Sequence, residues 1–161
     1  MVVIVMGVVG SGKTTVGRLL AQELGWQFAD ADDFHSSANV EKIRHGIPLN
    51  DIDRQPWLDH LHEYLMDCSA RRGGVVLACS ALKHSYRQHL QKGLEVRFVF
   101  LKGSADLIAE RLRSRQGHFA DEQILASQMA DLEEPEEAIT VDIAKSPAGI
   151  VSEIRKRLGV A

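Results

Sequence analysis

Val2-Val3-Ile4-Val5-Met6, followed by Gly7-Val8-Val9-Gly10-Ser11-Gly12-Lys13-Thr14, is the stretch on which the fold turns. The first five residues are apolar and mostly β-branched, without alternation, as in a strand buried on both faces of a parallel sheet. From Lys13 onward Val16, Leu19, Leu20 and Leu24 recur at helical spacing, and Gly25 supplies a stop. The residues between strand and helix fit G-x-x-x-x-G-K-[ST], in the strand-to-helix setting this motif requires. Glycine lets such a loop curl until its N–H groups point inward at phosphate oxygens, and the helix N-terminus adds partial positive charge. Gly7, Gly10 and Gly12 are therefore read as the cradle. Lys13 is expected to reach the β- and γ-phosphates, and the Thr14 hydroxyl to ligand Mg²⁺. Ser11 and Thr15 are candidates for further hydrogen bonds.

Working outward, strand-like and helix-like segments alternate. Strands are expected over 26–31, 75–79, 96–101 and 138–143, and helices over 38–45, 57–71, 83–92, 105–113, 121–132 and 148–158. A turn-prone run, 46–51, separates the second and third helices. This alternation predicts a parallel sheet covered on both faces, with ligands held beyond the C-terminal ends of its strands. No repeat, low-complexity tract or linker divides the 161 residues, so a single domain is expected.

Composition excludes more than it identifies. A formal net charge of -3 provides no global basic field for nucleic acid. Residues 1–6 lack a basic flank and a cleavage site and are too short to cross a bilayer, so a cytoplasmic location is expected. Cys68 and Cys79 form no C-x-x-C pair and are read as buried thiols. His60 and His62, two apart on a helix, do not share a face and are not read as metal ligands. Glu133, Glu134, Glu136 and Glu137 flank Pro135 and are read as a solvated turn.

The motif is common to many nucleotide-binding proteins, and other residues narrow it. Neither N-K-x-D nor a D-x-x-G after the second strand occurs, which disfavours a switch GTPase. The strand over 75–79 ends without the magnesium-site Asp usual in motor-like ATPases, whereas Asp30, Asp32 and Asp33 follow the second strand. That placement suits a small-molecule kinase, in which an acidic group handles the acceptor hydroxyl or the metal.

Further blocks carry a resemblance. They are Asp30-Ala31-Asp32-Asp33-Phe34-His35, Asn39 to Ile43, Gly46 to Leu58 (G-I-P-L-N-D-I-D-R-Q-P-W-L), Cys79 to Arg87 (C-S-A-L-K-H-S-Y-R), Leu101 to Gly103, Arg115 to Phe119 (R-Q-G-H-F) and Leu132 to Pro135. With them the chain resembles bacterial gluconate kinases, relatives of shikimate and nucleoside monophosphate kinases. The resemblance implies an α/β P-loop NTPase fold of the nucleoside monophosphate kinase type. It also implies a five-stranded parallel sheet, a mobile lid over about 115–133, ATP with Mg²⁺, gluconate phosphorylated on its 6-hydroxyl, and a homodimer. One departure is the pair Asp32-Asp33, where relatives often carry one acidic residue, so which aspartate matters stays open.

Gluconate offers a carboxylate, a row of hydroxyls and a reacting primary alcohol. Asp32 is placed on the acceptor hydroxyl as orienting group or base, against the alternatives of a helix cap or a magnesium-shell aspartate. Arg54, Lys83 and Arg87 are candidates for the carboxylate and hydroxyls, with Arg54 preferred by analogy with shikimate kinases. Ser80 and His35 are candidates for hydroxyl contacts, although a lone His is often structural. Arg115 is assigned to the transferred phosphoryl group, and Arg111 to stacking on adenine as the resemblance implies; Arg113 is left open between lid and surface. Two alternatives remain: a kinase of another small acid such as shikimate, and a non-catalytic ATP-binding regulatory module.

Overall fold

The protein is described from a computed structural model, which covers residues 1–71, 73–114 and 119–160, with only the backbone of 119–122. Its centre is β1 (Val2–Met6), every residue of which is buried. The period of two sends Val3 and Val5 to one face of the sheet and Val2, Ile4 and Met6 to the other, where they join separate hydrophobic cores. A residue with both faces covered has no room for polarity, which explains the unbroken apolar run.

Around β1 lie β2 (Gln27–Asp30), β3 (Val75–Ala78), β4 (Val96–Lys102) and β5 (Ile139–Asp142). The order is β2-β3-β1-β4-β5, and every pairing is parallel. The register aligns Val2 with Val75 and Val96, so β1, β3 and β4 start together and their C-terminal ends form one edge.

The helices are α1 (Lys13–Leu24), α2 (Ser37–Arg44), α3 (Asp51–Ala70), α4 (His84–Gln91), α5 (Ala105–Ser114), α6 (Phe119–Asp131) and α7 (Pro147–Leu158). Val16 and Leu20 of α1, Ile108 and Leu112 of α5, and Ile150 and Ile154 of α7 fill the core beside Val3 and Val5. Trp57, Leu58, Leu61 and Leu65 of α3, with Tyr86 and Leu90 of α4, fill the core on the opposite face. Burying one such aliphatic side chain contributes roughly 1.5–3 kcal/mol, so each core far outweighs any single polar contact.

Several boundaries differ from those expected. Strand β2 starts at Gln27 rather than 26, because the Trp26 N–H donates to Ala21 O and closes the C-terminus of α1. Helix α3 starts at Asp51 rather than 57. Asn50 accepts from the Asp53 N–H at 2.8 Å while the Asp53 carboxylate accepts from the Asn50 N–H at 3.1 Å, a reciprocal cap that holds the first turn ahead of Pro56. Strand β2 ends at Asp30 rather than 31, and Ala31–Phe34 form a 3-10 turn. Cys79 is buried as expected, but Cys68 is only half-buried.

Candidate active site

The C-terminal end of β1 leads into the phosphate loop. Gly10 adopts φ 80°, and a Cβ there would lie 2.8 Å from the Leu112 side chain of α5. Gly12 caps α1 at φ 97° and contributes no side-chain hydrogen bond, so the first amides of the helix are left facing the loop. Ser11 is buried, and its hydroxyl is one of the buried polar atoms that find no protein partner among the described residues. A buried hydroxyl with no protein partner is suited to a bound acceptor such as a phosphate oxygen. The Lys13 ammonium folds back over the loop and donates to Val8 O at 3.0 Å. Thr15 is exposed in the first turn of α1.

The Thr14 hydroxyl donates to Asp30 Oδ2 at 2.8 Å, and Asp30 Oδ1 accepts from the Asp32 N–H at 3.0 Å. One carboxylate thus ties the start of α1 to the 3-10 turn bearing Asp32. The Trp57 indole N–H holds the same turn by donating to Ala31 O at 2.7 Å. Asp32 is an exposed residue, yet protein crowds its carboxyl on one side. That desolvation raises its pKa against the lowering pull of Lys13, with Asp30 and Asp33 adding to the rise.

Lys13, Asp32, His35, Arg54 and Ser80 line one cavity of about 120 Å³, with Trp57 and Gln128 among its walls. Asp32, not Asp33, is the aspartate that reaches it. The His35 ring stacks on Trp57, centroids 4.3 Å apart and planes 14° from parallel. Burial and then the Arg54 charge push its pKa down to about 4, which keeps the imidazole neutral. Arg54 is buried, donates to the Tyr86 hydroxyl at 2.8 Å and lies 3.8 Å from Asp131. Tyr86 in turn donates to Asp51. Hydrogen bonds from Tyr86 and then Lys83 hold the Asp51 carboxyl below its usual range.

Other expected site residues are placed elsewhere. Lys83 pairs with Asp51 at 3.1 Å and is not among the residues lining the cavity. Arg87 is buried and donates to the carbonyls of Ala81 at 2.7 Å, Leu82 at 3.2 Å and Glu133 at 2.9 Å. Arg87, expected as a substrate ligand, is not among the residues lining the cavity, and three of its guanidinium hydrogen bonds go to backbone. Ala81 has φ 45°, costly for a residue with a Cβ, and Arg87 secures the strained loop that carries Ser80. Residues 133–137 are likewise more than a solvated turn. The Glu133 N–H donates to Leu82 O, its carboxylate accepts from the His84 N–H at 3.1 Å, and Glu134 pairs with Lys102. The Arg111 guanidinium donates to Ile143 O at 2.6 Å, beside the chain leaving β5. Arg115 lies outside the described residues.

A larger cleft, of about 580 Å³, opens beside His84, Phe98 and the glutamates near Pro135. It contains no phosphate-loop residue, so chemistry rather than size selects the smaller cavity.

Asp30 was noted in the sequence only as one of an acidic cluster, and its hydrogen bonds to Thr14 and Asp32 give it a defined place. Two participants escaped the sequence reading. Trp57 had no signal beyond its aromatic bulk. Gln128 of α6, whose side-chain oxygen accepts from the Val9 N–H at 2.7 Å, had none either, since a carboxamide in mid-helix reads as surface.

Comparison with known proteins places these features in a family. The family described as Shikimate kinase matches residues 9–158. A Xenopus tropicalis protein named probable gluconokinase is 46% identical, over 96% of this chain and 91% of its own. A gluconokinase of Gluconobacter oxydans is 45% identical, over 94% of this chain and 87% of its own. The crystal structure of a gluconokinase from Sinorhizobium meliloti superposes with TM-score 0.88 at 42% identity, covering 98% of this chain and 90% of that one.

Proposed function

This chain belongs to the shikimate kinase family, among its gluconokinases, and on that premise we propose that it transfers the γ-phosphoryl group of ATP to the 6-hydroxyl of D-gluconate. The observation that carries the reading is the cavity itself. It joins Lys13 of the phosphate loop to a carboxylate, a hydroxyl, a neutral imidazole and a buried guanidinium, the groups a polyhydroxy acid beside a triphosphate requires.

The loop amides and the Ser11 hydroxyl bind the phosphate chain, and Lys13 follows the charge on the γ-phosphate. Asp32 accepts a hydrogen bond from the attacking hydroxyl and aims it in line. Because the transition state is loose, aiming matters more than early proton removal. Arg54, held by Tyr86, meets the gluconate carboxylate at the far end, and Ser80 and His35 meet hydroxyls between. Mg²⁺ fits the oxygen donors gathered here, the Thr14 hydroxyl with the Asp30 carboxylate behind it and Asp32 as a further candidate. When bound, the ion neutralises phosphate charge and draws the phosphate oxygens together.

Residues 115–133 are taken as the lid, with Arg115 on the transferred group and Arg111 beside adenine. The whole chain is taken as one kinase domain, a homodimer in the cytoplasm. No helix among the described residues is long and apolar enough to cross a membrane.

The test is ADP release with Mg-ATP across a panel of small acids. Gluconate is expected to stimulate release, and Lys13→Ala to abolish it without unfolding the protein. Stimulation by shikimate instead would move the chain to a different acceptor, and ATP binding with no acceptor response would make it a non-catalytic module.

A further inference from the structure

Asn39 is buried, belongs to α2, and lies outside the cavity that holds the phosphate-loop lysine. Its side-chain nitrogen donates to Asp53 O at 2.9 Å and sits 3.3 Å from His35 Nδ1. The first contact fixes the orientation of the amide, since a flipped Asn39 would set its own oxygen against the Asp53 carbonyl. The amide therefore turns its second N–H toward His35, and Nδ1 must accept. An imidazole that accepts at Nδ1 carries its proton on Nε2.

Two further contacts fix the ring. Stacking on Trp57 sets its plane, and the His35 N–H to Asp32 O contact at 3.4 Å sets its root. Asn39 lines the hollow next to the cavity, while His35 borders both. The ring edge away from Asn39 is thus the edge that looks into the cavity.

We propose that Asn39 is a positioning residue that locks His35 in the Nε2–H tautomer, so that His35 donates a hydrogen bond to a hydroxyl oxygen of the acceptor and takes no proton from it. The proposal rests on reading the cavity as the acceptor site. It divides the labour there: Asp32 is the acceptor of the reacting hydroxyl's proton, and His35 is a donor that recognises a neighbouring hydroxyl. A site that hydrogen-bonds each hydroxyl rejects analogues lacking one, because its own polar group is then left unpaired.

The tautomer is read directly by two-bond ¹⁵N–¹H NMR on protein labelled at histidine, with the His35 signals among the seven histidines identified by their loss in His35→Gln. The expected spectrum, without substrate, shows an imine-type Nδ1 and a pyrrole-type Nε2; the reverse pattern overturns the proposal. Kinetics supply the second arm. Asn39→Ala is expected to mix the tautomers and raise KM for gluconate by about tenfold, more than it lowers kcat. In a His35→Ala background the same change should leave KM nearly unaltered, because Asn39 then has nothing to orient. An equal rise in both backgrounds would make Asn39 only a brace between α2 and α3. If Asn39→Ala does not fold, the spectrum of the unaltered protein still decides. Failure of that unaltered protein to phosphorylate gluconate would count against the function, not against the tautomer.

Discussion

Asp32 and His35 stand three residues apart on one turn, and burial drives their pKa values in opposite directions. Desolvation disfavours charge, so the acid is raised and the base lowered. Asp32→Asn keeps the shape but loses the carboxylate, and kcat should fall at least about a hundredfold while KM for gluconate changes severalfold at most. Near-normal kcat in that variant would remove Asp32 from the chemistry. The acid limb of kcat in the unaltered protein should lie above the ordinary aspartate range, since the carboxylate is lost as pH falls through a raised pKa. For His35 the linkage concerns stability. The unfolded ring takes a proton below about 6.5 and the folded ring resists until about 4, so its contribution is complete above pH 6.5 and fades as pH falls through that window. Urea melts from pH 7 to 4 should therefore show a smaller acid loss for His35→Gln than for the unaltered protein. The difference should be modest because the ring is only half-buried, and an identical loss would contradict a depressed pKa.

At the scale of elements, the three carbonyl contacts of Arg87 join the loop after β3 to the segment entering β5. Arg87→Met preserves bulk but strands buried carbonyls, and it should cost about 2–4 kcal/mol in denaturant unfolding. A loss under about 0.5 kcal/mol would mean that water or neighbours replace the guanidinium without penalty. This role was not legible in the sequence, where an arginine in C-S-A-L-K-H-S-Y-R reads as a ligand because arginines near a phosphate site so often are. One partner of Arg87, the Glu133 carbonyl, lies 46 residues away, and no local pattern announces a contact between a side chain and a remote carbonyl. The cap of α3 is the opposite case. Asn50 and Asp53 carry the spacing of a reciprocal cap, but the run 46–51 around the proline at 48 argued locally for a turn. Strands and helices with apolar periodicity were legible because burial dictates their pattern, and only their ends moved.

For the whole molecule, the phosphate loop was legible because its chemistry is local: eight consecutive residues make the cradle. The cavity was legible only in part, since it is assembled from the phosphate loop, the start of α1, the turn after β2, α2, the loop ahead of α3, α3, the loop after β3 and α6. Asp32, His35, Arg54 and Ser80 could be nominated from the sequence, but their meeting in one cavity depends on the β2-β3-β1-β4-β5 order, which sequence alternation does not specify. That parallel order gathers the strand ends at one edge, where Lys13 and Asp32 line the same cavity. The direct test is to incubate the purified protein with Mg-ATP and gluconate and to locate the new phosphate by ³¹P–¹H correlation NMR. The account requires a single ester on O6. A phosphate on any other oxygen, or ADP formed with no gluconate ester, would contradict it.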